Sequence, residues 1–313
     1  MDSTPNAESF SDLGVAADLV DALDHIGVRE PFPIQALTLP DALAGRDVCG
    51  KAQTGSGKTL AFGIPLVERT QQSRPGRPSA LVLVPTRELC SQVAKELRVL
   101  TDARGLRLTA VYGGAPMGRQ IDRIEKGSDI LVATPGRLID LMDRGHVNLS
   151  DVEGVVIDEA DQMADMGFLP QVHAILSKVE PGHQTMLFSA TLDGVVRSLI
   201  NQYMSEPIRH EVETPTDVVD TVEHRFLNVH YMDKARVAAA ITSSVARTLV
   251  FVGTKRGADH VARKLQDEGV QAAAIHGDLR QQVRERTLAD FASGKLPVMV
   301  ATNVAARGLH IPD

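Results

Sequence analysis

The chain has 313 residues, a length that suits two α/β domains at ~150 residues each. Hydrophobic residues make up 43% and charged residues 23%, so there is ample material for packed cores. No apolar run approaches the ~20 residues needed to span a bilayer. The net charge of −7 argues against a protein that grips polyanions by overall charge, so any such contact has to come from local sites. Residues 1–10 are polar, with neither a basic n-region nor an apolar h-region, and do not read as a secretory signal. Cys49 and Cys90 cannot form a disulfide framework. Buried structural thiols in a reducing, cytoplasmic setting are expected.

Along the chain, short apolar runs at 47–50, 80–84, 108–111, 130–133, 155–157, 185–188 and 208–210 alternate with amphipathic stretches. The runs are rich in Val, Leu and Ile and do not alternate with polar residues, the pattern of strands buried on both faces of a parallel sheet. Between them, 87–100 carries Leu89, Val93, Leu97 and Leu100 at helical spacing. Strand–helix alternation implies βαβ crossovers and an α/β, doubly wound parallel sheet over 1–212. Residues 213–221 are polar, contain a proline and lack an apolar period, which predicts a linker. A second alternation follows, with strands expected at 222–229, 248–252, 272–275 and 298–301 and a helix at 255–268. The ~90 residues of 222–313 fall short of a typical domain, so an incomplete second domain is expected.

The sharpest local signal is Ala52-Gln53-Thr54-Gly55-Ser56-Gly57-Lys58-Thr59, between a predicted strand and a predicted helix. Gly55 and Gly57 let the backbone fold around phosphate oxygens and turn N–H groups toward them, and the helix that follows adds its positive end. Lys58 supplies a point charge to the β- and γ-phosphates, and the Thr59 hydroxyl suits Mg²⁺. Ala52 stands where the general P-loop has glycine. A second acidic site is needed, and Asp158-Glu159-Ala160-Asp161 provides it after the strand 155–157. Asp158 lies at the carboxyl end of that strand, where open α/β sheets bind ligands, and is expected to hold Mg²⁺ through water. Glu159 is expected to orient or deprotonate an attacking water. A Mg²⁺-nucleotide, ATP above all, is therefore the expected ligand.

These residues and others in order resemble the DEAD-box ATP-dependent RNA helicases. The segment 27–35, with Pro33 and Gln35, resembles the family's Q motif, and Phe10 lies upstream of it as in the family. The resemblance implies that Gln35 reads the donor–acceptor edge of adenine while Phe10 packs against the base. Pro85-Thr86-Arg87, Gly113-Gly114 and Thr134-Pro135-Gly136-Arg137 resemble RNA-contacting motifs, as do Gly253-Thr254, Gln281 with Arg284, and Thr302. Such groups grip a sugar–phosphate backbone without sequence preference. Ser189-Ala190-Thr191 resembles the segment that couples hydrolysis to unwinding, through hydroxyl bonds to Asp161, and Gly308 falls among the nucleotide contacts. The family has Asp where Asn303 and His310 stand, often an aromatic where Val28 stands, and its last arginine motif after the position of Asp313.

The resemblance implies two tandem RecA-like domains, the second truncated, in a monomer that hydrolyses ATP with Lys58, Asp158 and Glu159 as catalytic groups, with weak turnover expected of these 313 residues because the last arginine motif is missing. It implies ATP and Mg²⁺ as cofactors and single-stranded and duplex RNA as partners. A nucleotide-gated RNA clamp without efficient turnover and a DNA-directed P-loop motor are the competing readings. Gln35 and the full DEAD tetrad favour RNA over DNA.

Overall fold

A computed structural model describes residues 9–53, 55–212 and 223–302. The chain divides into two compact units, Met1–Thr214 and Pro215–Asp313. The first opens with helices α1 (Ala17–His25) and α2 (Pro33–Leu43). Strands β1 (Val48–Lys51), β2 (Ala80–Leu83), β3 (Leu108–Val111) and β4 (Ile130–Ala133) follow, with β5 (Gly154–Asp158), β6 (Gln184–Ser189) and β7 (Ile208–Glu211) after them. Between these strands run helices α3 (Lys58–Arg69), α4 (Arg87–Ala103), α5 (Met117–Glu125), α6 (Pro135–Asp143), α7 (Ala160–Asp165), α8 (Leu169–Leu176) and α9 (Gly194–Tyr203).

Among the described residues these strands form one seven-stranded sheet in the order β3-β4-β2-β5-β6-β1-β7, with every pair parallel. Alternate residues of each strand enter different cores, as the period of two requires. Val48, Val82, Val132, Val156 and Phe188 join one apolar cluster with Leu19, Ile34, Phe62 and Leu97 of α1 to α4. Cys49, Leu83, Ala133, Ile157 and Leu187 join another with Ile124, Leu138, Met163, Val172 and Leu199 of α5 to α9. Both faces are thus covered, which is why the strands read as near-continuous apolar runs. Cys49 and Cys90 are both buried, and burial pushes each thiol up to about 12, as expected of structural thiols.

Buried Asp129 ties together three segments at the amino end of this sheet. One carboxylate oxygen accepts the Ser73 N–H at 2.6 Å and the other accepts the Arg107 N–H at 2.7 Å, with the Arg107 guanidinium 3.1 Å away. Burial alone would raise the Asp129 carboxyl, but the Arg107 and Ser73 donors outweigh it and hold the group below its ordinary value.

The second unit contains α10 (Lys234–Thr242), β8 (Thr248–Val252), α11 (Lys255–Asp267), β9 (Ala272–Ile275), α12 (Gln281–Ala292) and β10 (Val298–Thr302). Its described strands form a parallel sheet in the order β8-β10-β9. The strand expected at 222–229 is not formed over its described part. Residues 223–230 carry no regular structure, and Phe226 is 94% exposed. No described strand pairs with this segment, and an apolar pattern without a ladder partner does not make a strand. The predicted linker, 213–221, lies outside the described residues, as do Asn303, Gly308 and His310.

Candidate nucleotide and nucleic-acid site

Strand register brings the phosphate-binding candidates together. Strand β6 lies between β1 and β5, with Phe188 level with both Gly50 and Asp158, so the two loops leave the sheet at the same height. Ala52 is buried and donates its N–H to the Ser189 carbonyl at 3.1 Å, which anchors the start of the loop. Thr54 lies outside the described residues. Gly55 and Gly57 adopt φ of 87° and 85°, left-handed values that glycine enters without steric strain. The Ser56 hydroxyl donates to the Gln53 carbonyl at 2.7 Å and tightens the turn. Gly57 caps α3, whose first residues are Lys58 and Thr59, so the positive end of a twelve-residue helix opens onto the loop.

The Lys58 ammonium lies 3.0 Å from Oε1 of Glu159, with side chains only 6% and 11% exposed. Glu159 sits at φ 54° and ψ 49°, a left-handed conformation uncommon for a residue with a β-carbon. Asp158 is buried, and Oδ1 accepts the Glu159 N–H at 3.0 Å. Burial and, to a smaller extent, the Glu159 charge push its carboxyl up to about 7, against the pull of Lys58. The carboxylates and the ammonium form one compact group at the ends of β1 and β5. Asp161 meets Ser189 by its backbone: its N–H donates to the Ser189 hydroxyl at 3.2 Å. Thr191 is exposed.

The two expected base contacts are placed differently. Phe10 is 1% exposed and lies in the apolar cluster with Leu13, Val15 and Leu19. Gln35 is fully buried and uses both ends of its amide internally. Oε1 accepts the Phe32 N–H at 2.8 Å, and Nε2 donates to the Gly57 carbonyl at 2.8 Å. Its N3 position in α2, after Pro33 at the first helical position, aims the side chain back at the helix start. Phe32, which motif reading passed over, is 55% exposed and lies against Gly57.

The nucleic-acid candidates of the first unit gather at the carboxyl ends of β2, β3 and β4. Arg87 begins α4, and its guanidinium lies against Gly113 and Gly114; a β-carbon on Gly113 would come 3.4 Å from Nη2. Arg137 donates to the Ala115 carbonyl and to Gln120, each at 3.2 Å. Burial draws the Arg137 guanidinium below its ordinary value, and nearby Arg87 and Arg144 add to this against the pull of Asp140. Thr86 caps α4 by accepting the Leu89 N–H at 3.2 Å, Thr134 stands at the cap of α6, and Pro85 and Pro135 are buried, leaving Gly136 exposed. In the second unit, Thr254 caps α11 by accepting the Gly257 N–H at 3.0 Å, beside Gly253 at the end of β8. Thr302 ends β10 level with Val252, while Gln281 and Arg284 are 7% and 6% exposed.

A protein-family model described as "DEAD/DEAH box helicase" matches residues 32–199, more than half of the chain, and "Helicase conserved C-terminal domain" matches 233–313. The chain belongs to the DEAD/DEAH box helicase family. It is 42% identical over 323 residues to DEAD-box ATP-dependent RNA helicase 30 of Arabidopsis thaliana, covering 97% of this chain and 53% of that protein. It is 41% identical to the DEAD-box ATP-dependent RNA helicase CshA of Bacillus subtilis, covering 97% of this chain and 62% of that protein. The chain thus spans half to under two thirds of these relatives' lengths. Among solved structures, Saccharomyces cerevisiae Dbp5 bound to RNA and ADP BeF3 matches with a TM-score of 0.82 at 29% identity, covering 98% of this chain and 78% of that one. The two parallel sheets of this DEAD-box chain are RecA-like. No helix among the described residues is long and apolar enough to cross a membrane.

Proposed function

We propose that this chain acts as an ATP-dependent RNA helicase, coupling RNA-stimulated ATP hydrolysis to local unwinding or remodelling of RNA duplexes and RNA–protein complexes. One observation carries the reading. A single sheet edge holds both a phosphate cradle closed by Lys58, Asp158 and Glu159, at the ends of β1 and β5, and a basic, glycine-lined group of Arg87, Gly113, Gly114 and Arg137, at the ends of β2 to β4. The Gly55–Gly57 loop and the start of α3 present donors to a polyphosphate, and Lys58 exchanges Glu159 for it. Glu159, released, is then a base or orienter for the attacking water. Arg87 and Arg137 meet the phosphates of a single strand, and the exposed glycines admit its backbone closely.

Mg²⁺ fits the residues present. Asp158 is a buried oxygen donor at the end of β5, and Thr59, the second residue of α3, offers a hydroxyl. Bound there, the ion would neutralise charge on the transferring phosphoryl group. Single-stranded and duplex RNA as partners, a monomeric state and a cytoplasmic setting complete the proposal.

The test measures phosphate release from ATP and GTP by the purified chain, with and without single-stranded RNA, together with strand separation of a short duplex. RNA-stimulated release that prefers ATP is expected. Nucleotide and RNA binding without turnover would favour the clamp, and stimulation by DNA as strong as by RNA would overturn the RNA reading.

A further inference from the structure

Phe32 is the one aromatic residue with an exposed side chain among the described residues of the first unit. Neither the local fold nor the core accounts for it. It occupies the cap position of α2, where Ser, Thr, Asp or Asn would accept a hydrogen bond, and it makes no such bond. Its backbone N–H is held instead by Gln35, at 2.8 Å, and Gln35 is held by the Gly57 carbonyl. These two bonds fix Phe32 beside the last glycine of the phosphate loop. A β-carbon on Gly57 would lie 2.7 Å from Cδ2 of the ring. A solvent-facing aromatic ring therefore lies beside Gly57, one residue from Lys58, while Phe10 is buried in the core.

We infer that Phe32 is the base-stacking residue of the nucleotide site, supplying affinity for the base of any nucleoside di- or triphosphate but no preference for adenine. The inference rests on the reading that the Gly55–Thr59 loop binds nucleotide. Every nucleobase offers a π-face, so stacking is tolerant of base identity, whereas donor–acceptor pairing discriminates. In this site the discriminating group, Gln35, is already committed at both ends of its amide. Grip and selection thus belong to different residues: the ring holds the base, and Gln35 sorts it with whichever amide hydrogen and lone pair remain.

The experiment uses the full 313-residue chain with ATP, GTP and inorganic tripolyphosphate as probes, and compares Phe32→Ala, Phe32→Tyr and Lys58→Ala. Phe32→Ala should weaken ATP and GTP by the same factor, roughly 5- to 150-fold, the range of base–aromatic stacking, and leave tripolyphosphate unchanged. Phe32→Tyr should bind as the parent does. The chain has no Trp, so Phe32→Trp adds a single indole, and its emission should change on addition of ATP or GTP but not of tripolyphosphate. If Phe32→Ala binds ATP as the parent does while Lys58→Ala loses it, the inference falls and the nucleotide reading stands. If Phe32→Ala weakens tripolyphosphate as much as ATP, Phe32 acts on the shape of the loop and the inference also falls. If Lys58→Ala too binds ATP undiminished, the nucleotide reading itself fails. The tyrosine and tryptophan variants keep the ring and decide the matter should the alanine variant not fold.

Discussion

The Lys58 ammonium and the Glu159 carboxylate pair at 3.0 Å in a pocket that leaves them 6% and 11% exposed. The same lysine cannot hold this carboxylate and a triphosphate equally well. On the proposed reading, nucleotide entry is an exchange of partners in which Lys58 leaves Glu159, itself in a left-handed conformation, and turns to phosphate.

Glu159→Gln should separate these roles. The amide keeps the shape but loses the charge, so Lys58 is more available and ATP should bind at least as tightly as to the parent. Hydrolysis should fall by ~10²–10⁴-fold, the usual share of general acid–base catalysis. Lys58→Ala should behave oppositely, losing triphosphate affinity while Glu159 keeps its carboxylate. Titration with ATP and single-turnover hydrolysis on both variants check this, and unchanged turnover in Glu159→Gln would falsify the catalytic assignment.

Asp158 gives a pH signature. Its folded carboxyl, at about 7, lies above the ordinary value of 3.8, so the folded chain binds the proton more tightly than the unfolded one. Its contribution to stability is fully present below about 4 and is lost as pH rises toward 7. Asp158→Asn removes the group that must ionise. Without nucleotide, the variant should therefore unfold at a higher temperature than the parent at pH 8, with the difference shrinking at pH 5. It should lose Mg²⁺-dependent ATP binding at both. Melting curves at the two pH values decide; an equal difference at both would show that the carboxyl is not raised.

Arg87 and Arg137 should contribute through phosphates. Replacing either with alanine should weaken single-stranded RNA of any sequence to a similar degree. It should also make the slope of log affinity against log salt shallower by ~0.7 for each phosphate the arginine had neutralised. Affinities of two unrelated oligonucleotides across a salt series provide the measurement. A loss confined to one sequence would mean base reading rather than backbone contact.

The parts of the site legible in the sequence are those whose geometry is local. Glycine spacing fixes the turn at Gly55 and Gly57, and Lys58 and Thr59 follow because a helix starts there. Asp158 was legible because a buried strand ends at it. What escaped depends on distant partners. Phe10 and Phe32 are both aromatic residues near the same motif, and only packing decides that one is core and the other exposed. Gln35 reads as a free amide until Gly57, 22 residues on, is seen to take its donor. The expected strand at 222–229 failed for the same reason, since a strand needs an edge to pair with, and periodicity does not supply one.

Asp129 gives the last prediction, on the fold that carries the site. It reads as an unremarkable acid before a strand, yet its carboxylate is closed to solvent and gathers the Ser73 N–H and hydroxyl, the Arg107 N–H and the Arg107 guanidinium. Its carbonyl accepts from the N–H groups of Ser79 and Ala80, so β2, β3 and β4 start from one point. Asp129→Ala leaves the Ser73 and Arg107 backbone donors without their acceptor. At ~1–3 kcal/mol for each donor left unmade, a loss of roughly 2–6 kcal/mol is expected, toward the low end because both donors are only part-buried, with little added for the half-exposed Arg107 guanidinium. Asp129→Asn keeps one acceptor oxygen and should lose less. Because the folded carboxyl is held below its ordinary value, its stabilisation is present above ~4 and disappears as pH falls through the folded value. The parent and Asp129→Asn should therefore converge in urea midpoint on acidification below pH 4, while differing at pH 7. A constant gap across that range would mean that Asp129 acts by shape alone, and that its charge plays no part in setting the ends of the strands from which Arg87, Gly113 and Arg137 are displayed.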